Sequence, residues 1–163
     1  TTTPSGSAAP RTSFAISSDA FVNGGTLPKD FTCDGAGVSP PLSWTQAPAG
    51  TREFALLMTT LPGDGTTKWN WVLYNVPVAT TGLARNSRSV GTFGVGSDGP
   101  SAAYQPPCSQ GPGAKIYTFT LYALSASPRF AGGGAVTGAT VASAIAPVTL
   151  GSAVLNLSYT RPR

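Results

Sequence analysis

The sequence predicts a single domain that is all-β or nearly so, and three observations carry that prediction. The 163 residues include 20 Gly and 15 Pro, charged residues are only 10% of the chain, and apolar runs of strand length alternate with turn-rich stretches. So many chain-breakers with so few Glu and Lys disfavour long surface helices and favour short strands joined by turns. A chain of this length buries roughly 70% of the surface it exposes when unfolded, enough for a core without a metal.

The elements follow in order. Residues 1–12 are rich in Thr, Ser, Pro and Ala and read as a flexible leader left after removal of a signal peptide or anchor, with the domain over 13–163. Phe14, Ile16, Phe21 and Val22 predict a short first strand ending at Asn23-Gly24-Gly25. Residues 26–44 read as loop, with Pro28, Gly35, Gly37 and the pair Pro40-Pro41. Glu53 to Thr60 is a continuous apolar run suited to a strand buried on both faces. After a Gly/Pro/Asp turn, Trp69 to Val76 is the strongest strand, rich in aromatic and branched residues and stopped by Pro77. Residues 81–115 are Gly-, Ser- and Pro-rich and predict a long stretch with little regular structure, either a functional loop or a disordered one. Ile116 to Leu124 predicts a strand, Thr140 to Ile145 a short helix halted near Pro147, and Ala153 to Tyr159 an alternating closing strand. No repeat and no second domain is visible.

The net charge is +4, but the ten basic residues are scattered and form no dense footprint for a phosphate backbone, so nucleic acid is not an expected partner. No segment reaches the roughly 20 apolar residues that span a bilayer. The chain has no histidine, which removes His-based acid–base chemistry and His-ligated metal sites; no metal and no cofactor is expected. Its two cysteines, Cys33 and Cys108, lie in Pro/Gly-rich loops. They are either two buried thiols or one disulfide; the disulfide is favoured because it would pin two loops together. Low charge and a disulfide point to an exported, periplasmic or cell-surface protein.

Few motifs point to chemistry. Gly94-Val95-Gly96-Ser97-Asp98-Gly99 matches the Gly-x-Gly-x-x-Gly string, but a Pro-rich loop follows where phosphate cradling needs a helix N-terminus. No nucleophile elbow is present, and the six acids form no recognisable pair. The expectation is a binding protein and not an enzyme.

Phe14 to Trp44 is more specific. Its Thr-Cys-Asp-Gly and Ser-Pro-Pro-Leu-Ser-Trp elements, spanning Thr32 to Trp44, resemble the opening of the bacterial Raf-kinase-inhibitor-like branch of the phosphatidylethanolamine-binding protein family. The runs from Glu53, Trp69, Tyr104 and Ile116, and the closing strand, continue the same order. The resemblance covers the chain after the leader. It implies a large antiparallel sheet packed on a smaller sheet, with a short C-terminal helix. It also implies a small surface pocket for phosphate-like anions.

In the family, that pocket is built from an Asp-Pro-Asp-x-Pro loop, a His before Trp, and a Gly-Pro-Cys-Pro-Pro loop leading to His-Arg-Tyr. This chain departs at most of them. Thr60, Leu61, Pro62, Gly63 and Asp64 stand at the acidic loop and Asn70 at the His; Pro107, Cys108 and Tyr117 remain, while Lys115 and Ile116 replace the His and Arg. Removing one partner of a buried pair leaves an uncompensated charge, whereas removing the set is nearly neutral, so joint loss fits a pocket rebuilt as a less polar cleft.

The resemblance therefore implies a site near Asp34, Thr60, Asp64, Asn70, Pro107, Lys115 and Tyr117, taking a small anion or phospholipid-like head group. Asn70 would offer an amide and Lys115 a positive charge; the plainer readings are a satisfied core amide and a solvated amine. Trp69 and Trp71, two apart, are expected on one side of their strand with Asn70 on the other. The alternative function is a kinase- or protease-inhibitor-like interaction module whose 81–115 loop contacts a protein partner. The oligomeric state stays open, a homodimer included.

Overall fold

The computed structural model describes residues 13–61, 66–109, 112–130 and 134–161; the leader and Asp64 lie outside them. Strand β3 (Glu53–Thr60) explains its unbroken apolar run by its position at the centre of a five-stranded antiparallel sheet. It lies between β4 (Lys68–Pro77) and β7 (Lys115–Leu124), with β6 (Thr92–Phe93) and β8 (Thr149–Tyr159) at the edges. A three-stranded sheet of β1 (Ala15–Ser17), β2 (Leu42–Thr45) and β5 (Gly82–Leu83), in the order β1-β2-β5, covers one face. Helix α1 (Gly138–Ile145) covers the other.

Two hydrophobic clusters follow from these layers. Between the sheets, Ile16, Leu42, Trp44 and Leu83 meet Phe54, Leu56, Met58, Phe119, Leu121, Leu155 and Leu157. On the helix side, Ala55, Leu57, Val72 and Tyr74 pack on Val141 and Ile145. Each of those two helix residues, fully buried, contributes roughly 1.5–3 kcal/mol of transfer free energy. Strand β7 shows the period of two directly, with Tyr117, Phe119, Leu121 and Ala123 facing the inter-sheet core. The helix starts where Thr137 caps it, its hydroxyl accepting from the Thr140 amide at 3.2 Å, and it ends before Pro147.

Three expectations need correction. The first strand is only Ala15–Ser17: the Ser18 hydroxyl donates to the Pro41 carbonyl and accepts from the Ala20 amide, which turns the chain out of the ladder. Phe21 still reaches the core, stacking on Phe119, but Val22 is exposed. Residues 81–115 are not structureless, since they supply β5 and β6 as short edge strands.

The third correction concerns the tryptophans. In the β3–β4 ladder Met58 pairs with Trp71 and Thr59 with Trp69, so Asn70 is an extra residue on β4. A bulge of this kind breaks strict alternation and re-aims side chains. Trp71 accordingly enters the inter-sheet core, while Trp69 goes to the helix side.

Candidate functional site

The bulge also sets the geometry of the site at the ends of β3, β4 and β7. Asn70 has 0% exposure, and its amide donates to the Gln105 carbonyl at 3.2 Å while its Oδ1 accepts from the Thr60 hydroxyl at 3.2 Å. Its backbone carbonyl accepts from the Gln105 N–H at 2.7 Å. Thr60 faces Tyr117 across the β3–β7 ladder, and both are buried. Three of the residues picked from the sequence, Thr60, Asn70 and Tyr117, therefore stand together as a polar wall, with the Asn70 amide held by two protein partners.

Lys115 opens the other side of this wall. It begins β7, pairs across the ladder with Tyr159, and has no carboxylate partner among the described residues. Together with Thr60 it lines an open groove of about 510 Å³ whose other lining residues include Thr59, Thr67 and Thr118.

Asp34 and Pro107 belong to a second group, held by the disulfide. Cys33 and Cys108 are bonded, with their Cα atoms 5.3 Å apart, and the Cys33 amide donates to the Pro107 carbonyl at 3.0 Å. Beside them the Asp34 carboxylate accepts from the Tyr159 hydroxyl at 2.8 Å and from Arg161 Nε at 3.0 Å. Arg161 also donates to the Ser109 carbonyl, tying the two bridged loops to the end of β8.

The electrostatics follow from these contacts. The hydrogen bond from Tyr159, helped by Arg161, holds the Asp34 carboxyl below its ordinary range against a smaller desolvation effect. Burial pushes the Tyr117 phenol up to about 12, with Tyr159 and Asp98 adding to the shift. Tyr159 is raised as well, by burial first. Asp98 is itself paired with Lys68 at 2.9 Å. Near neutral pH the site thus presents an ionised, partnered Asp34 and neutral phenols, with Lys115 beside them free of any described carboxylate.

Sequence reasoning missed Tyr159, Arg161 and Gln105. Tyr159 had a signal, because the alternation of Ala153, Leu155 and Leu157 predicts an inward residue at 159, and a tyrosine there needs a hydroxyl partner. Gln105 had none. It is a buried hub in the long loop: its Oε1 accepts from the Asp98 amide at 2.7 Å, and its Nε2 lies 3.4 Å from the carbonyls of Gly99 and Ser101. It also explains part of the Gly-x-Gly-x-x-Gly string. A Cβ at Gly96 would sit 2.3 Å from Gln105 Oε1, so that glycine serves close packing against β4.

A two-sheet, mainly-β domain with polar groups gathered at the strand ends and a disulfide-bridged loop pair defines the class. The profile of the phosphatidylethanolamine-binding protein family matches residues 17–160, and the chain belongs to that family. It is 34% identical over 155 residues to a Mycobacterium tuberculosis protein described as a candidate lipoprotein, LppC, covering 94% of this chain and 74% of that one. It is 34% identical over 114 residues to a UPF0098 protein of Methanothermobacter thermautotrophicus, covering 67% and 75%. Among solved structures, a candidate phosphatidylethanolamine-binding protein homologue from Chlamydia trachomatis, CT736, superposes with a TM-score of 0.83 at 25% identity, over 93% of this chain and 100% of that one. Escherichia coli YbcL has the same fold, with a TM-score of 0.80 at 22% identity over 91% and 99%.

Proposed function

We propose that this chain is a non-enzymatic binding protein that holds a small anion or phosphorylated head group in the open groove beside Thr60 and Lys115. The observation that carries the reading is the composition of that groove: Lys115 and four threonines line it, with no carboxylate among its described lining residues. An ammonium acts as a point charge for such a group, and hydroxyls donate beside it. The family's own association with phosphatidylethanolamine adds to this. A binding role is supported by the protonation states. The chain has no histidine, and Asp34 and Tyr117 shift downwards and upwards, away from neutrality. An extracytoplasmic setting is part of the proposal, supported by the disulfide and by the lipoprotein description of LppC. Among the described residues no helix is long and apolar enough to cross a membrane.

The test is a calorimetric titration of phosphate, phosphoethanolamine and a short-chain phospholipid into the wild type and Lys115→Ala. Saturable binding that weakens about tenfold in the variant, the loss expected for one charge-assisted contact, supports the reading. No saturable heat with any of the three ligands sinks it, and binding unchanged in Lys115→Ala moves the site elsewhere.

A further inference from the structure

A second cavity shares no lining residue with the Lys115 groove. It has a volume of about 230 Å³ and sits between residues 37–39, residues 86–88, the end of β6 and residues 102–104. We propose that it is a binding site for a small carboxylate with a compact apolar body, such as an aromatic acid.

The walls supply the apolar part. Val38, Phe93 and Tyr104 line the cavity, and all three pack against the inter-sheet core. The Tyr104 hydroxyl is engaged by the Phe31 carbonyl at 2.6 Å, and its ring packs edge-to-face on Trp71, so its orientation is fixed. An apolar cavity of about 150 Å³ is enough to take a benzene ring. The space here suits a ring with a carboxylate attached.

The polar part consists of two groups without protein partners for their remaining donors. Ser39 lines the cavity at 2% exposure, and its hydroxyl makes no hydrogen bond among the described residues. That hydroxyl is open to the cavity, and a ligand oxygen there would accept from it. Arg88 is exposed and has no carboxylate partner among the described residues. Its Nε donates to Asn86 Oδ1 at 3.3 Å, which aims the guanidinium and leaves its terminal nitrogens for a forked contact with a carboxylate. No acidic residue is among the described residues that line the cavity.

The frame is held in an uncommon conformation. Asn86 has φ +59°, and its amide donates to the Ser39 carbonyl at 2.9 Å, which locks residue 86 to residue 39. Opposite, the amides of Gly37 and Val38 both donate to the Asp30 carbonyl, at 2.8 and 3.3 Å.

The test is a titration of ¹⁵N-labelled protein with benzoate, alongside benzyl alcohol as the neutral analogue and inorganic phosphate as the anion without a ring. Benzoate should produce saturable shifts at the amides of Val38, Phe93 and Tyr104. Its affinity should fall at least about tenfold in Arg88→Gln and several-fold in Ser39→Ala. Ala103→Trp should block it by filling the cavity, and Lys115→Ala should leave it unchanged, which separates this site from the groove. The inference is overturned if benzoate gives no saturable shifts there, if Arg88→Gln binds it as the wild type does, or if benzyl alcohol or phosphate binds the cavity equally well.

Discussion

The Tyr159 hydroxyl donates to the Asp34 carboxylate at 2.8 Å, and that bond joins the last strand to the loop carrying Cys33. It makes stability depend on pH in a definite direction. The folded-state pKa of Asp34 is depressed below the ordinary 3.8, with Tyr159 the largest cause. Such a group stabilises the fold fully above its unfolded pKa, and the contribution is lost as pH falls through the lower folded value. Asp34→Asn and Tyr159→Phe should therefore each lower Tm at pH 7, and the gap to wild type should close as pH drops below 3.8. Thermal melts from pH 7 down to acid check this; a gap that does not change with pH would mean the carboxylate is not favoured by the fold.

Asn70 should matter for stability before it matters for binding. Its side chain gives the buried Thr60 hydroxyl an acceptor and the Gln105 carbonyl a donor. Asn70→Ala leaves both short of a partner, at a cost of about 2–3 kcal/mol, or about 6 °C in Tm for a chain of this length. Removing both partners of a buried hydrogen bond is gentler than removing one. Thr60→Val with Asn70→Leu should accordingly lose less than the two single changes added. Urea unfolding of the four proteins measures that coupling, and strict additivity would mean the bond contributes nothing.

Much of the fold was legible in the sequence because its main strands carry strong local signals. The runs from Glu53, Trp69 and Ile116 are long, apolar and bounded by Gly, Pro or charge, and the structure places strands on all three. The two-residue strands β5 and β6 were not legible, since so short a pairing has no period to detect. The separation of Trp69 from Trp71 was hidden for a different reason. A bulge is a slip between two strands, and the sequence of one strand holds no trace of its partner's register. Thr60, Asn70 and Tyr117 were gathered by family resemblance, whereas Gln105 and Arg161 act through contacts across 35 and 127 residues of chain. No local pattern reports contacts of that range.

The bulge that turns Trp69 toward α1 also favours glycine at residue 138. A Cβ at residue 138 would lie 2.2 Å from the Trp69 ring. Two effects oppose each other in Gly138→Ala: helix propensity favours alanine by at most about 1 kcal/mol, whereas overpacking costs about 1–3 kcal/mol. The second wins because the added Cβ would meet three ring atoms of Trp69 at 2.2–2.5 Å, and that ring packs against the helix-side cluster. The expected outcome is a loss of about 1–2 kcal/mol with a changed near-ultraviolet dichroism from Trp69. Gly134→Ala, where an added Cβ meets nothing within 4 Å, is the control and should be close to neutral.

The Cys33–Cys108 bond closes a loop of 75 residues that contains β3, β4 and most of the candidate site. In the chain-entropy account, a closure of that size destabilises the unfolded ensemble by about 4 kcal/mol. The folded state has other ties at the same place: the Cys33 amide on Pro107, and Asp34 on Tyr159 and Arg161. Those ties should keep the loops in position after reduction, so the loss should fall on global stability and not on local structure. Cys33→Ser with Cys108→Ser should lower Tm by about 10 °C, and reductant should do the same to the wild type. Amide shifts of Gln105, Tyr159 and Arg161 should move little in the folded variant. Urea unfolding with and without reductant, paired with those spectra, checks both halves. An unchanged midpoint would mean that the bond closes a loop already restricted in the unfolded chain, and large amide shifts would mean that the ion pair and backbone bonds depend on the disulfide to form.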